Sequence, residues 1–509
     1  MGRFPLIRRR LRACLLLPLF IVFSVSHLEA AARKKKTQPP PQRREAPSSE
    51  ASSLADALAL ASQRPPSGPN NLSIEIVDLD TGEPVFQRNP DSPETIASVT
   101  KLFSTATALH YLGADYKFKT TFWRTGEIKD GVLQGSLLVV GGGDPNISGR
   151  FYNDDYNAVF DTWASGLKAL GVTKVTGPLI LNDSFFDSVT RHPDWKEGQE
   201  QKWYQAPVSA LAYNDNVVLV GIRPGPKPGK PAAVSFEPST ESMRATSNAK
   251  TVGQRGKIAV GVRREAGSNA VSVSGTVPMR GVWWSTPIAV HDPIAFFGGS
   301  LKKRLRAAGI ELAGGVTQKD VKPDDTWALV AQTESSLVPT LTVINKRSQG
   351  FYAEQTFKTV AAEKMGKGTW PNALSLEKQF LASLNLDPDR FDLHDGSGLS
   401  PNNKVAAGDV VRFLRAMSSS ANGAVWKTTM ATGGEAEGTL RHRLNDPISR
   451  GRVIAKTGSI QGVSTLAGYA TGVSGKTYAF AILLNGGRVY DTNGHAYQDR
   501  LIRALIKNG

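Results

Sequence analysis

Cysteine is almost absent: the 509-residue chain has one, Cys14. Beyond it there are no thiols, so thiol catalysis, zinc–thiolate sites and disulfides drop out of the rest of the chain. Histidine is scarce too, with seven scattered residues and no His-Glu-x-x-His, which argues against a zinc peptidase. The glycine run Gly141-Gly142-Gly143-Asp144-Pro145 is not followed by Gly-Lys-Ser/Thr, so it reads as a tight turn and not a phosphate loop. "HDGSGLS" lacks the Gly-x-Ser-x-Gly spacing of a nucleophile elbow. No fixed-period repeat is present. Acidic residues are few near the start: residues 1–45 hold 11 Lys/Arg against 2 Asp/Glu, supplying +9 of the net +16. The remaining +7 reads as spread over the rest of the chain, which does not indicate a nucleic-acid-binding face.

What is present begins with "MGRFPLIRRRLRACLLLPLFIVFSVSHLEAAA". An arginine-rich start, an apolar run from Ala13 to Ser26 and small residues at Ala30, Ala31 and Ala32 have the layout of a secretory signal peptide. The run is shorter than the roughly 20 residues of a membrane span. Export with cleavage is the expectation, an uncleaved anchor the rival. Cys14 precedes the apolar run, which argues against a lipoprotein. The following basic, proline-rich stretch, residues 33–51, reads as a solvated linker, or alternatively as a tether to anionic lipid or cell-wall polymer.

Order is expected from about residue 52. A helix at Ser53–Gln63 precedes "LSIEIVDLDTGEPVFQRNP", which alternates apolar and polar residues around a turn and reads as a hairpin. "SVTKLFSTATALHYLG" reads as a helix stopped by Gly113. Residues 119–319 are strand-rich, with helical patterns at Ala158–Leu170 and Ala295–Ala308. Helices return at Gly350–Lys364, Leu374–Leu384 and Val405–Met417, and a strand pair and the helix Tyr497–Asn508 close the chain. This pattern predicts an α/β (α+β) unit built from both ends, residues 52–118 and 320–509, with 119–319 inserted.

Three short stretches carry chemistry. In Ser98-Val99-Thr100-Lys101 the spacing places a hydroxyl and an amine on one helical face. A neutral lysine there can serve as base for a serine nucleophile, and the helix N-terminus favours a developing oxyanion. Alone, the pattern is equally an N-cap beside a solvated lysine. Lys456-Thr457-Gly458-Ser459 reads as a strand edge ending in a turn, able to hold a carboxylate beside an extended peptide. A second ammonium there is expected to lower the pKa of Lys101. Between them, Ser348-Gln349-Gly350 enters a predicted helix, with Ser348 a candidate cap.

In this order the three resemble the Ser-x-x-Lys, Ser-x-Asn, Lys-Thr-Gly signature of penicillin-binding proteins and serine β-lactamases. "ASVTKLFSTATAL", "VGGGDPN", "YQAPVSALAYNDN", "INKRSQGFYAE", "DGSGLS", "EGTLRHR" and "AKTGSIQGVSTLAGY" together resemble the class C low-molecular-mass penicillin-binding proteins, D-alanyl-D-alanine carboxypeptidase/endopeptidases of the bacterial envelope. The resemblance implies a β-lactamase/transpeptidase-like domain split by an insertion that forms further domains. It implies Ser98 as acylated nucleophile, Lys101 as base and Ser348 as proton relay. Lys456 and Thr457 then hold the substrate carboxylate, and the N–H groups of Ser98 and Ser459 form the oxyanion hole. Peptidoglycan stem peptides are the implied substrates and β-lactams the covalent inhibitors, with no metal or cofactor. Gly350 departs from the family's asparagine, which leaves the substrate's acyl-side carbonyl without an amide partner. Gln349, or an asparagine of Asn214-Asp215-Asn216, is a candidate substitute. A weakened homologue that binds peptidoglycan or a partner, and a β-lactamase or esterase, are the rival readings.

Overall fold

The computed structural model describes residues 53–280 and 284–509. The leader and the whole of the 33–51 linker lie outside the described residues, so the expectations placed there are not addressed by it. Among the described residues no helix is long and apolar enough to cross a membrane.

The chain starts with helix α1 (Leu54–Ala61), capped by Ser53, whose side chain accepts from the Asp56 amide. Strands β1 (Leu72–Asp78) and β2 (Pro84–Arg88) then form the expected hairpin. Alternation in "LSIEIVD" predicts one wet face, yet all seven residues are buried. Its polar positions are satisfied internally: Ser73 Oγ donates to the Asn89 carbonyl at 2.8 Å and accepts from the Ala407 amide at 3.0 Å. Glu75 accepts from Gln87 at 2.6 Å. Buried polar groups on a strand are tolerated when paired in this way.

Helix α2 (Lys101–Leu112) follows a one-turn 3₁₀ segment, Ala97–Thr100, so Ser98 sits in the tighter turn and Lys101 opens the α-helix. Much further on come α3 (Leu337–Arg347), α4 (Gly350–Met365), α5 (Trp370–Ser383) and α6 (Ala407–Ser419). The short β3 (Ala431–Thr432), then β4 (Val453–Ile460), β5 (Val463–Thr471), β6 (Thr477–Asn485) and helix α7 (Asp491–Asn508) complete this part. The six strands form one sheet in the order β2-β1-β6-β5-β4-β3, every neighbour antiparallel. Helix α6 packs on one face; α7, itself packed on α1, covers the other. That double cover is why β1, β5 and β6 are buried almost throughout.

Residues 117–336 supply the other large sheets. Lys117–Thr125 pairs antiparallel with Trp327–Ser336, so the strand leaving the first segment lies beside the one returning. Two corrections concern the second motif. Residues 337–347, unassigned in the sequence reading, are helix α3, and α4 starts two residues after its end-capping Ser348. The last helix begins at Asp491, six residues before the expected Tyr497.

Candidate active site

Ser98 is placed by a strained turn. Ala97, just before it, is fully buried with φ of 46°, a left-handed conformation that a non-glycine residue adopts only when its surroundings impose it. The Thr465 hydroxyl on β5 imposes it in part, donating to the Ile96 carbonyl at 2.8 Å. Between them lies Gly458 of β4. A Cβ there would meet Thr465 Oγ1 at 2.2 Å, the Ile96 carbonyl oxygen at 2.7 Å and the Ser98 amide nitrogen at 3.0 Å. Glycine at this position lets the Ser98 turn lie directly against the strand.

Lys101 Nζ donates to Ser98 Oγ at 3.0 Å and also to the Ser397 carbonyl. The lysine is 2 % exposed, and this burial lowers its pKa to about 8, against the opposing pull of Asp395 and Glu354. Lys456 Nζ, fully buried, donates to Ser348 Oγ at 2.8 Å and to the Thr457 carbonyl at 2.7 Å. Its pKa falls well below the usual lysine value, first through burial and then through the charge of Lys101. The repulsion between ammoniums expected from the sequence thus falls on Lys456, because Lys101 has two carboxylates near it and Lys456 has none among the causes acting on it.

The second motif corrects the sequence reading most. Ser348 does not cap α4. It ends α3 in a left-handed conformation, φ 58°, and its hydroxyl faces Lys456. Gly350 is the first residue of α4, where a glycine disturbs few helical hydrogen bonds. The suggested substitutes for asparagine are each engaged outside the cleft. Gln349 Nε2 donates to Asp215 at 3.0 Å, and Asp215 is held by Arg150 at 2.8 Å. Asn214 and Asn216 donate to the carbonyls of Val217 and Pro207, both at 2.8 Å.

A cavity of about 800 Å³ is lined by Ser98, Lys101, Ser348, Gly350, Ser397 and Ser459, with Trp203 and Tyr204 on its outer wall. A second, of about 740 Å³, shares Ser98, Ser348 and Ser459 and adds Thr457, Arg441 and His442. The seven residues Ser98, Lys101, Ser348, Gly350, Thr457, Ser459 and Lys456 therefore surround one cleft, with Gly458 behind the nucleophile.

Sequence reasoning missed what stands behind Lys101. Glu354, fully buried on α4, accepts from the amides of Ser397 at 2.8 Å and Gly396 at 3.1 Å and from Trp370 at 2.8 Å. Asp395 accepts from the amides of Gly398, Leu399 and Ser400 and from Trp195. Together they fold the 395–400 loop so that its Ser397 carbonyl faces Lys101, which makes the loop more than architectural. The available signal was one acidic residue inside the apolar run "FYAEQTF".

The chain is similar to known proteins over most of its length. The chain is 32% identical over 432 residues to the D-alanyl-D-alanine carboxypeptidase of Actinomadura sp. (strain R39), covering 81% of this chain and 77% of that one. It is 26% identical to the D-alanyl-D-alanine carboxypeptidase DacB of Haemophilus influenzae, over 83% of this chain and 87% of the relative. The crystal structure of penicillin binding protein 4 (dacB) from Haemophilus influenzae superposes with a TM-score of 0.74 at 25% identity, covering 88% of this chain and 98% of that one. Its complex with a β-lactam matches at a TM-score of 0.73. The fold is accordingly of the β-lactamase/transpeptidase-like type, and the protein is a peptidase. With residues 54–507 matched, the chain belongs to the D-Ala-D-Ala carboxypeptidase 3 (S13) family.

Proposed function

We propose that the protein is an exported serine-type D-alanyl-D-alanine carboxypeptidase/endopeptidase that cleaves peptidoglycan stem peptides or their cross-links through an acyl-enzyme on Ser98. The observation that carries this reading is the 3.0 Å contact between Ser98 Oγ and a buried Lys101 whose pKa is lowered to about 8. Before substrate binds, Asp395 and Glu354 favour a proton on Lys101, while burial and the charge of Lys101 disfavour one on Lys456. A substrate carboxylate bound at Lys456 and Thr457 draws positive charge to Lys456 instead, and Lys101 becomes the free base.

Lys101 then takes the Ser98 proton as Oγ bonds to the carbonyl carbon of the penultimate D-alanine. The amides of Ser98 and Ser459 hold the oxyanion, elements whose loss typically costs about 10²–10³ in rate. Ser348, bonded to Lys456, passes its proton to the leaving amine as the C–N bond breaks and D-alanine, or a cross-bridge amine, departs; the proton that Lys101 took from Ser98 replaces it by way of Lys456, which leaves Lys101 neutral again. Water then gives a proton to Lys101 while its oxygen bonds to the acyl carbon, and Ser98 recovers its proton as the ester breaks. The same acylation step accounts for covalent trapping by β-lactams.

Gly350 favours a second reading, a weakened homologue that binds peptidoglycan without efficient turnover. One experiment separates the two. The purified protein is incubated with labelled penicillin and any adduct is mapped by peptide mass. Adduct on Ser98 supports the enzyme; its absence at every concentration sinks it.

A further inference from the structure

Outside the cleft, charge is distributed unevenly. Residues 223–280 hold ten Lys/Arg and three Asp/Glu, a net +7, whereas residues 53–509 as a whole carry +8. The +7 beyond residue 45 is therefore not spread along the chain: nearly all of it belongs to one small subdomain.

Within that subdomain, Ala270–Pro278 is flanked by Arg244–Ser247 and Lys250–Val252 on one side and by Ala259–Arg264 on the other. Its register fixes which side chains share a face. Arg244 lies opposite Ala270, Thr246 and Arg263 opposite Ser272, Gly261 opposite Ser274, and Lys250 opposite Thr276. All of these are exposed or half-buried. The alternate residues Val271, Val273 and Val277, with Val260 and Val262, pack into the core beneath. The outer face thus combines Arg244, Lys250 and Arg263 with small hydroxyl residues and glycine, and its one acidic residue is Glu265, at its edge opposite Ala270. None of the three cations has an ion-pair partner among the described residues. Arg255 and Lys257, exposed in the adjoining turn, add to the same sign.

The sheet is tied to the catalytic cleft. The amide of Arg264, next to Arg263, donates to Gln201 at 2.8 Å. Gln201 belongs to the segment whose Gln199, Trp203 and Tyr204 wall the cavity over Ser98.

We propose that this basic sheet face docks the enzyme on polymeric peptidoglycan, pairing with the carboxylates of its stem peptides. The inference rests on the substrate class proposed above. Single exposed ion pairs are weak, but a polymer that repeats its carboxylates lets several form together and hold the cleft near its substrate. A flat face of hydroxyls and glycine leaves the cations accessible to an extended chain.

The test compares the wild type with the triple variants R244E/K250E/R263E and R244Q/K250Q/R263Q as full-length proteins. Each is measured for co-sedimentation with purified sacculi and for hydrolysis of a soluble peptide ending in D-Ala-D-Ala. We expect unchanged soluble-peptide hydrolysis, which also shows the variants are folded, with sacculus binding reduced about tenfold by charge reversal and less by neutralisation. Wild-type binding is expected to fade between about 0.05 M and about 0.5 M salt. Equal sacculus binding by all three proteins overturns the proposal. So does wild-type binding to phosphatidylglycerol vesicles in preference to sacculi, which would make the face a membrane contact. Charge-dependent sacculus binding without any soluble-peptide hydrolysis would uphold the docking face and count against the proposed catalytic reading.

Discussion

A Cβ built on Gly350 would lie 3.5 Å from the Cβ of Ser397 and 3.9 Å from its hydroxyl, ordinary contact distances. The nearest backbone atom, the Tyr204 carbonyl oxygen, is 4.0 Å away, and Gly350 has no left-handed φ to favour glycine. Room for a Cβ is therefore already present, at a residue that lines the same cavity as Ser98. Gly350→Asn should fold like the wild type and acylate faster, by about 10–100-fold for a hydrogen bond of roughly 1–3 kcal/mol gained to the substrate carbonyl. Stopped-flow acylation by a chromogenic cephalosporin measures it; an unchanged rate would mean the substrate carbonyl does not need this contact.

The lysine pair sets a pH dependence. Lys101 must be unprotonated to act as base, and its proton is lost as pH rises through about 8. Acylation efficiency, kcat/KM, should therefore climb with pH to a limb near that value and decline below it. Burial opposes that proton, while Asp395 and Glu354 hold it on. Glu354→Gln should move the limb to lower pH. A limb that stays in place would show that Glu354 acts through loop geometry and not through charge.

Gly458 is the point where the nucleophile turn touches the sheet. The Ile96 carbonyl and the Ser98 amide stand within 3.0 Å of any Cβ added there, and both are backbone. Gly458→Ala should leave global stability lowered by no more than about 1–3 kcal/mol, the usual range for overpacking. It should displace Ser98 enough to cost about 10² or more in acylation rate. Thermal melting and penicillin labelling together decide this; normal labelling would refute it.

Glu377 on α5 is fully buried, and neither carboxylate oxygen has a hydrogen-bond partner. Burial, then the charges of Asp395 and Glu354, raise its pKa well above the usual 4.5. The native state therefore keeps a proton that the unfolded chain releases above that value. The stability tied to this proton is complete below about 4.5 and is lost as pH rises through the native pKa. Glu377→Gln cannot ionise, so its melting temperature relative to wild type should improve as the pH is raised. A difference independent of pH would contradict the assignment.

How much of this was readable in advance varies by residue. The Ser98–Lys101 pair and the Lys456–Ser459 edge follow from short-range spacing, and the structure brings them to one cleft. Helix α3 was hidden because "LVPTLTVINKR" is rich in β-branched residues and contains Pro339. Pro339 falls in the first turn, where no amide is required, and packing against α2 and α4 decides the outcome. Without α3, Ser348 reads as a cap; with it, the left-handed residue between two helices aims its hydroxyl at Lys456. The roles of Glu354 and Asp395 were hidden for a different reason. Most of their partners are backbone amides of a loop, and such bonds leave no spacing in the sequence.

The turn that holds Ser98 depends on a strand made much later. Thr465 and Ile96 are 369 positions apart, and Asn485, which brackets Thr95 with two 3.1 Å hydrogen bonds, is 390 positions away. Contacts of such separation close late in folding. During synthesis Ser98 emerges early, but its strained turn does not exist until the final hairpin docks. A chain cut short before that hairpin would carry Ser98 as an ordinary serine, and the peptidase could begin work only as a finished molecule.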